Sequence, residues 1–316
     1  MNWNETILSK RPAEEIWTQI FQELQRLATT TTSPVELNQA LSPWDRLLAE
    51  SAWELWAAYP AFPGRTSVQL KDWWTRSAAG GRAVLILDAL SLRDLPALLG
   101  GAQTRHIQPT VVAVTGAEVP TDTTPFAKAL GASSRSSLQH NGATASFALQ
   151  STNLQTDVFN APFRDCPVPN ARDLFLWHEW QDPQVHNNLL HDAVHRTASQ
   201  QLQSDDFWDF VNRLRQGRKL VITSDHGYAV SAHFSTTLDD EQVVSTLKDV
   251  FGASRLCPAP AAWPHSFLPP LVQHTNGHYV VVGQVKWRVQ GGFPPRCHGG
   301  LSLLEVAVPW VELPPI

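Results

Sequence analysis

The chain has 316 residues, 43% hydrophobic and 17% charged, with a formal net charge of −5. That length holds one large α/β domain or two modest ones. No apolar run approaches the roughly 18 residues of a membrane span, and no global basic field exists to draw nucleic acid by counterion release. The composition reads as soluble and globular, and it disfavours nucleic-acid binding without excluding it. The start, MNWNETILSKRPAEE, lacks a basic region followed by an apolar stretch and a small-residue cleavage site, which predicts a cytoplasmic protein. Cys166, Cys257 and Cys297 are odd in number, widely spaced and without a CxxC pair, which argues against a disulfide framework and against a cysteine zinc site.

In chain order, residues 12–77 place apolar side chains at helical period (Ile16, Ile20, Leu24, Leu27, then Leu47, Leu48, Trp53, Trp56), broken by TTTTSP and YPAFPG. They predict a helical N-terminal region over 1–77. Its tryptophans (Trp3, Trp17, Trp44, Trp53, Trp56, Trp73, Trp74) are either core groups or a contact surface. At residues 83–87 the pattern changes to a continuous apolar run, AVLIL, that stops at Asp88 and suits a central parallel strand. TVVAVTG (110–116) and KLVITSD (219–225) repeat it, with helical stretches between, one of them Leu202 to Leu214. Strands alternating with helices predict an α/β fold over 78–316, with a mostly parallel central sheet and ligands gathered at the carboxyl ends of its strands. The stretch 132–170 is polar and turn-rich, an excursion over the active face or a loop. Residues 278–292 alternate like a hairpin, and HGGLSLLEVAVPWVEL (298–313) reads as a loop, a helix start and a closing strand.

Four pieces supply oxygen and imidazole ligands. Asp88 ends the first strand, and it is either a ligand or a helix cap for SLRDLPALL. Asp225-His226-Gly227 follows the KLVIT strand; both side chains reach one metal if the backbone turns sharply, and the bland alternative is a cap beside a satisfied histidine. Asp182 and His186 stand in D-x-x-x-H spacing, which puts them on one helical face or at one loop mouth. His298 precedes two glycines that let backbone approach an ion; singly it is a loop histidine. His178, Lys128 and Arg93 are substrate contacts or structural residues.

The set Asp88, Thr123, Asp182, His186, Asp225, His226 and His298 resembles, in order and local motif, the alkaline phosphatase superfamily. SDHG with the late HGGLSLLEVAVP looks especially like the PglZ domains of BREX-like phage-defence systems. The resemblance covers about residues 80–313 and leaves the first 75 or so outside. It implies an alkaline-phosphatase-like sheet, one metal on Asp182, His186 and His298, and a second on Asp88, Asp225 and His226. VPTDTTPF (119–126) resembles the P-T-x-T-x-P stretch of nucleotide pyrophosphatases and places the nucleophile at Thr123, with Ser91 and Thr121 in reserve. Mixed imidazole and carboxylate donors point to Zn2+, with Mn2+ second.

The implied function is a phosphodiesterase, with nuclease action included, that hydrolyses a phosphoester, nucleotide or nucleic acid. The implied partners are other defence-system proteins, among them ATPases and methyltransferases, and no membrane is involved. A sulfatase needs C-x-P-x-R or S-x-P-x-R, which CPVPNAR and CPAPAAW fail, and a mutase cap has too little chain at 132–170. A catalytically silent scaffold within a defence or signalling complex is the reading from another class.

Overall fold

The structure is a computed structural model that describes residues 3–31, 33–76, 80–186, 191–230, 241–259, 261–265, 267, 270–288 and 295–316. Five helices open the chain: α1 (Trp3–Ile7), α2 (Ala13–Thr30), α3 (Pro34–Glu50), α4 (Trp53–Ala58) and α5 (Thr66–Thr75). Their causes are local. α2 buries Ile16, Trp17, Ile20, Phe21, Leu24 and Ala28 along one stripe, and Ser33 caps α3 by accepting from Glu36 N, with Pro34 in its first turn.

An alternating α/β region follows: β1 (Gly81–Leu87), α6 (Leu95–Thr104), β2 (Val111–Gly116), α7 (Thr123–Ala129), β3 (Leu154–Phe159), β4 (Asp173–His178), α8 (Asp182–Val185), α9 (His191–Gln203), α10 (Asp205–Leu214) and β5 (Arg218–Thr223). Then come β6 (Ala229–Val230), α11 (Glu241–Phe251), β7 (Leu256–Pro258), β8 (Val272–Thr275), β9 (His278–Val281), β10 (Arg296–Cys297), α12 (Leu303–Val306) and β11 (Ala307–Leu313).

The central sheet has the order β2-β11-β5-β1-β4-β3, with β11 antiparallel to both neighbours and the other pairings parallel. β1 is covered on both sides. Ala83, Leu85 and Leu87 join one core with Trp17, Ile20 and Trp56 of the N-terminal helices and with Leu98 and Phe210, while Val84 and Ile86 join another with Leu70, Trp73, Trp74 and Phe126. This is the mostly parallel α/β sheet flanked by helices that the continuous apolar strands predict. Of the seven N-terminal tryptophans, Trp3, Trp17, Trp56, Trp73 and Trp74 are buried and Trp44 and Trp53 half-buried, so they serve as core groups.

Several expectations are corrected. The stretch 132–170 contains the edge strand β3, and the central strand β4 stands outside the strands read from the sequence. The helix expected from Leu202 to Leu214 is two helices, because the Ser204 hydroxyl accepts from Phe207 N and starts a new one. The hairpin expected over 278–292 lies earlier: β8 and β9 pair through Asn276 and Gly277, whose φ values of 51° and 71° suit a two-residue turn, and residues 289–292 lie outside the described residues. The reading of 298–313 as loop, helix start and strand matches α12 and β11.

Candidate metal centre

The carboxyl ends of β1, β4 and β5 bring the ligand-type residues together. Asp88 follows β1 directly, and its N–H donates to His178 O at 2.9 Å, extending the ladder one residue beyond the strand. Ala89 then takes a φ of 58°, a left-handed conformation uncommon for a residue with a Cβ, and its N–H donates to Asp225 Oδ1 at 3.2 Å. Ser224 links the two strand ends: its Oγ accepts from Leu90 N at 2.9 Å and lies 2.8 Å from Leu87 O.

Asp88, Asp225 and His226 are fully buried, and none caps a helix; the short 3-10 turn Leu92–Asp94 that leads into α6 is begun by Ser91, which accepts from Arg93 N. Gly227 does not take positive φ as a sharp turn would need. A Cβ there would lie 2.2 Å from Leu304 O, so close packing on α12 requires the glycine. The glycines after His298 likewise make room for protein. Gly299, at φ 96°, faces Leu256, and a Cβ on Gly300 would lie 2.1 Å from Arg255 Nη2.

The donor atoms form two overlapping groups. Asp88, Asp225 and His226 offer ligand atoms within 4.8 Å of one another, and so do Asp182, His226 and His298. His226 Nε2 lies 3.7 Å from Asp88 Oδ1 and 3.5 Å from Asp225 Oδ2, and its ring stacks on that of His298 at 4.3 Å. His186 Nε2 lies 3.0 Å from His298 Nε2 and 3.2 Å from Asp182 Oδ1, on the exposed rim. Thr123, in the first turn of α7, donates its hydroxyl to Asp225 Oδ2 at 3.0 Å. All seven residues singled out from the sequence therefore meet at one edge of the sheet. The reserves are turned elsewhere: Thr121 donates to Gly300 O at 2.8 Å, and Ser91 accepts from Arg93 Nη1 at 3.0 Å.

Electrostatics at this edge are those of crowded carboxylates. Burial and the neighbouring Asp225 push Asp88 well above the usual carboxylate range. Burial opposes charge on His226, but Asp225 and Asp88 outweigh it and raise the imidazole to about 9. Burial, with the charge on His226 beside it, lowers His298 to about 4. Burial acts to raise Asp182, yet contact with His186 and the nearby imidazoles hold it down at about 2. Asp88 Oδ1, Asp182 Oδ1 and His226 Nε2 are buried without a hydrogen bond among the described residues. Buried polar atoms are ordinarily satisfied, and three such ligand atoms converging from the end of β1, the end of β5 and the start of α8 fit divalent cations. Three carboxylates and three imidazoles suit a borderline metal ion better than an all-oxygen one.

A cavity of about 480 Å³ opens beside these groups, lined by Thr123, Arg135, Gln139, Asn160, Glu179 and Asp182 among others. Arg135 pairs with Asp88 Oδ2 and, at 2.9 Å, with Glu179 Oε1. The sequence gives no sign of this arginine's role, since it sits in the turn-rich run SSRSS and meets Asp88 only through the fold. The three proposed substrate contacts fall elsewhere. His178 donates from Nε2 to Ala161 O at 2.9 Å and accepts from Trp180 N at 3.0 Å, and burial lowers it to about 4, which marks a neutral structural histidine. Arg93 is buried on Tyr228 O and Asn38, and Lys128 lines a separate cavity.

No protein-family model and no curated protein matches the chain. Among solved structures it is similar to phosphonoacetate hydrolase from Sinorhizobium meliloti 1021, at 12% identity and a TM-score of 0.43, covering 75% of this chain and 90% of that one. It is also similar to murine ectonucleotide pyrophosphatase/phosphodiesterase 5, at 11% identity and a TM-score of 0.44, covering 74% and 88%.

Proposed function

We propose that the protein is a metal-dependent phosphoesterase of the alkaline phosphatase superfamily, nearest the PglZ domains, that cleaves phosphodiesters with Thr123 as nucleophile. The observation that carries this reading is the convergence of six ligand-type side chains beside a cavity that Asp182 and Thr123 line, with the Thr123 hydroxyl 3.0 Å from Asp225 Oδ2. Asp182, His186 and His298 would hold one ion and Asp88, Asp225 and His226 the other, Zn2+ before Mn2+. Bound there, two cations offset the charge of phosphoryl oxygens and lower the pKa of a nearby hydroxyl.

The chain's own residues supply the rest. Asp225 Oδ2 accepts the Thr123 hydroxyl proton in a hydrogen bond and so fixes where that oxygen sits. The Thr123 oxygen attacks phosphorus as its proton passes to Asp225, the bond to the leaving alkoxide breaks and that oxygen takes a proton from solvent, and water then hydrolyses the phospho-threonine and returns the Thr123 hydroxyl. Arg135 stands in the same cavity, where its guanidinium can add two donors to an anionic oxygen. The phage-defence setting and its protein partners rest on the motif likeness of SDHG and HGGLSLLEVAVP.

The decisive experiment uses metal-stripped protein, with Zn2+, Mn2+ or Mg2+ added back, on bis-p-nitrophenyl phosphate and p-nitrophenyl phosphate beside Asp225→Ala. Metal-dependent turnover that the substitution removes, faster on the diester, is the expected result. Bound ions without turnover on either ester would replace the enzyme with a scaffold.

A further inference from the structure

The site uses His298, and behind that residue lies a set of buried contacts that none of the chemistry above requires. The loop is pinned first by Thr121: His298 Nδ1 donates to Thr121 O at 3.1 Å, and Gly299 N donates to the Thr121 hydroxyl at 3.0 Å. Behind it stands Glu305, fully buried, whose Oε1 accepts from Gly300 N at 2.9 Å and whose Oε2 accepts from the Ser302 hydroxyl at 2.6 Å. Arg255 faces the same carboxylate, with Nη2 2.8 Å from Oε2, and donates from Nη1 to Val285 O and from Nη2 to Gly283 O, each at 2.6 Å.

A third layer comes from the N-terminal helices. Asp45 of α3 is buried, and it accepts from Leu303 N and from Gln284 Nε2, each at 2.6 Å. The two carboxylates thus hold the backbone that runs from His298 into α12, Glu305 at Gly300 and Asp45 at Leu303, and each also holds, through Arg255 or Gln284, the segment 283–285.

We infer that Asp45, Arg255 and Glu305 form a brace that positions His298 at the metal centre, and that the N-terminal helical region is thereby part of the site's support. The inference rests on the metal-binding reading above. Its physical basis is that a buried ion pair adds little net stability compared with apolar groups of the same size, while its fixed geometry restrains what it touches. The supports of a metal-ligating histidine ordinarily set the ligand's orientation, and their loss weakens the metal about 10- to 100-fold.

Titration with Co2+ alone, read by calorimetry and by visible absorption, tests this on wild type, Asp45→Ala, Asp45→Asn, Glu305→Ala and His298→Ala. The expected result is two binding steps in wild type, one of which His298→Ala removes. Asp45→Ala and Glu305→Ala weaken that same step by about 10-fold or more and alter its spectrum, with the other step within about threefold. Asp45→Asn restores it, because an asparagine keeps an acceptor for Leu303 N. Folded alanine variants that bind both ions as wild type does, or that weaken both steps equally, overturn the brace and leave the metal centre standing. A wild type that takes up no Co2+ overturns both. If Glu305→Ala does not fold, Asp45→Ala and Thr121→Val decide the question by the same readout.

Discussion

Thr123 differs from the two reserve hydroxyls in direction and in exposure, since Ser91 and Thr121 are fully buried and Thr123 is half-buried at the cavity wall. Ser91 holds the turn before α6 and Thr121 holds the backbone of Gly299 and Gly300, while Thr123 faces Asp225. Thr123→Ala should therefore lower kcat by at least about 10³-fold, with Thr123→Ser retaining measurable turnover. Metal content measured on the same preparations should be unchanged. Arg135→Ala should lower kcat/KM by about 100-fold, or about 2.7 kcal/mol. What was legible at this scale follows from chain position: Asp88 and Asp225 announce themselves because each ends an apolar strand. Arg135 and Glu179 do not, because each acquires its meaning from a partner the fold supplies. The glycines after His226 and His298 were legible as necessary, but the reason was not, since their neighbours Leu304, Leu256 and Arg255 are distant or unmarked in sequence.

Among elements, β1, β5 and β11 were readable because continuous apolar runs bounded by Asp, Gly or Pro mean strands covered on both faces, and β2 carries such a run although it lies at the sheet edge with Val111 exposed. β4 carries the same signal in Leu174–Trp177 after the turn residues Pro169 and Asn170, and it was readable in principle. β3 was not, because Gln155, Thr156 and Asp157 suit an edge strand and a loop equally well. α3 has a long-range tie through Asp45, which accepts from Leu303 N and Gln284 Nε2. Burial raises this carboxyl to about 6 against the hydrogen bonds that favour its charge. Its folded pKa is thus above its unfolded one, so its contribution is fully present below about pH 4 and is lost as pH rises through about 6. Asp45→Asn removes that loss. Gln284 Oε1 has no hydrogen bond among the described residues, and a flipped Gln284 amide could accept from Asn Nδ2. Unfolding in urea should show the stability of Asp45→Asn, relative to wild type, rising by about 2 kcal/mol between pH 4 and pH 7. A constant difference across that range would contradict the raised pKa.

For the molecule as a whole, buried residues on both sides of the division at residue 77 expected from the sequence belong to one hydrophobic cluster. Trp17 and Trp56, with ring centroids 4.8 Å apart, pack in the same core as Leu85 and Leu87 of β1, and Tyr59 donates to Ala117 O at 3.0 Å on the segment that leads to Thr123. Trp17→Ala should destabilise the whole chain by about 3–5 kcal/mol in a single cooperative transition, followed by circular dichroism during urea unfolding. A separate early transition confined to the helices would show two independent units instead.

The register of the sheet has a kinetic side. β2 pairs Val111 with Glu312 of β11, and β11 alone joins it to β5. Until that late strand arrives, β2 has, among the described residues, only the bridge from Gly116 to Arg65, and a long loop must close before its ladder forms. Refolding should be slow for this reason. The intermediate that accumulates would carry an unpaired, largely apolar strand edge, so the yield of refolded protein should fall as its concentration is raised.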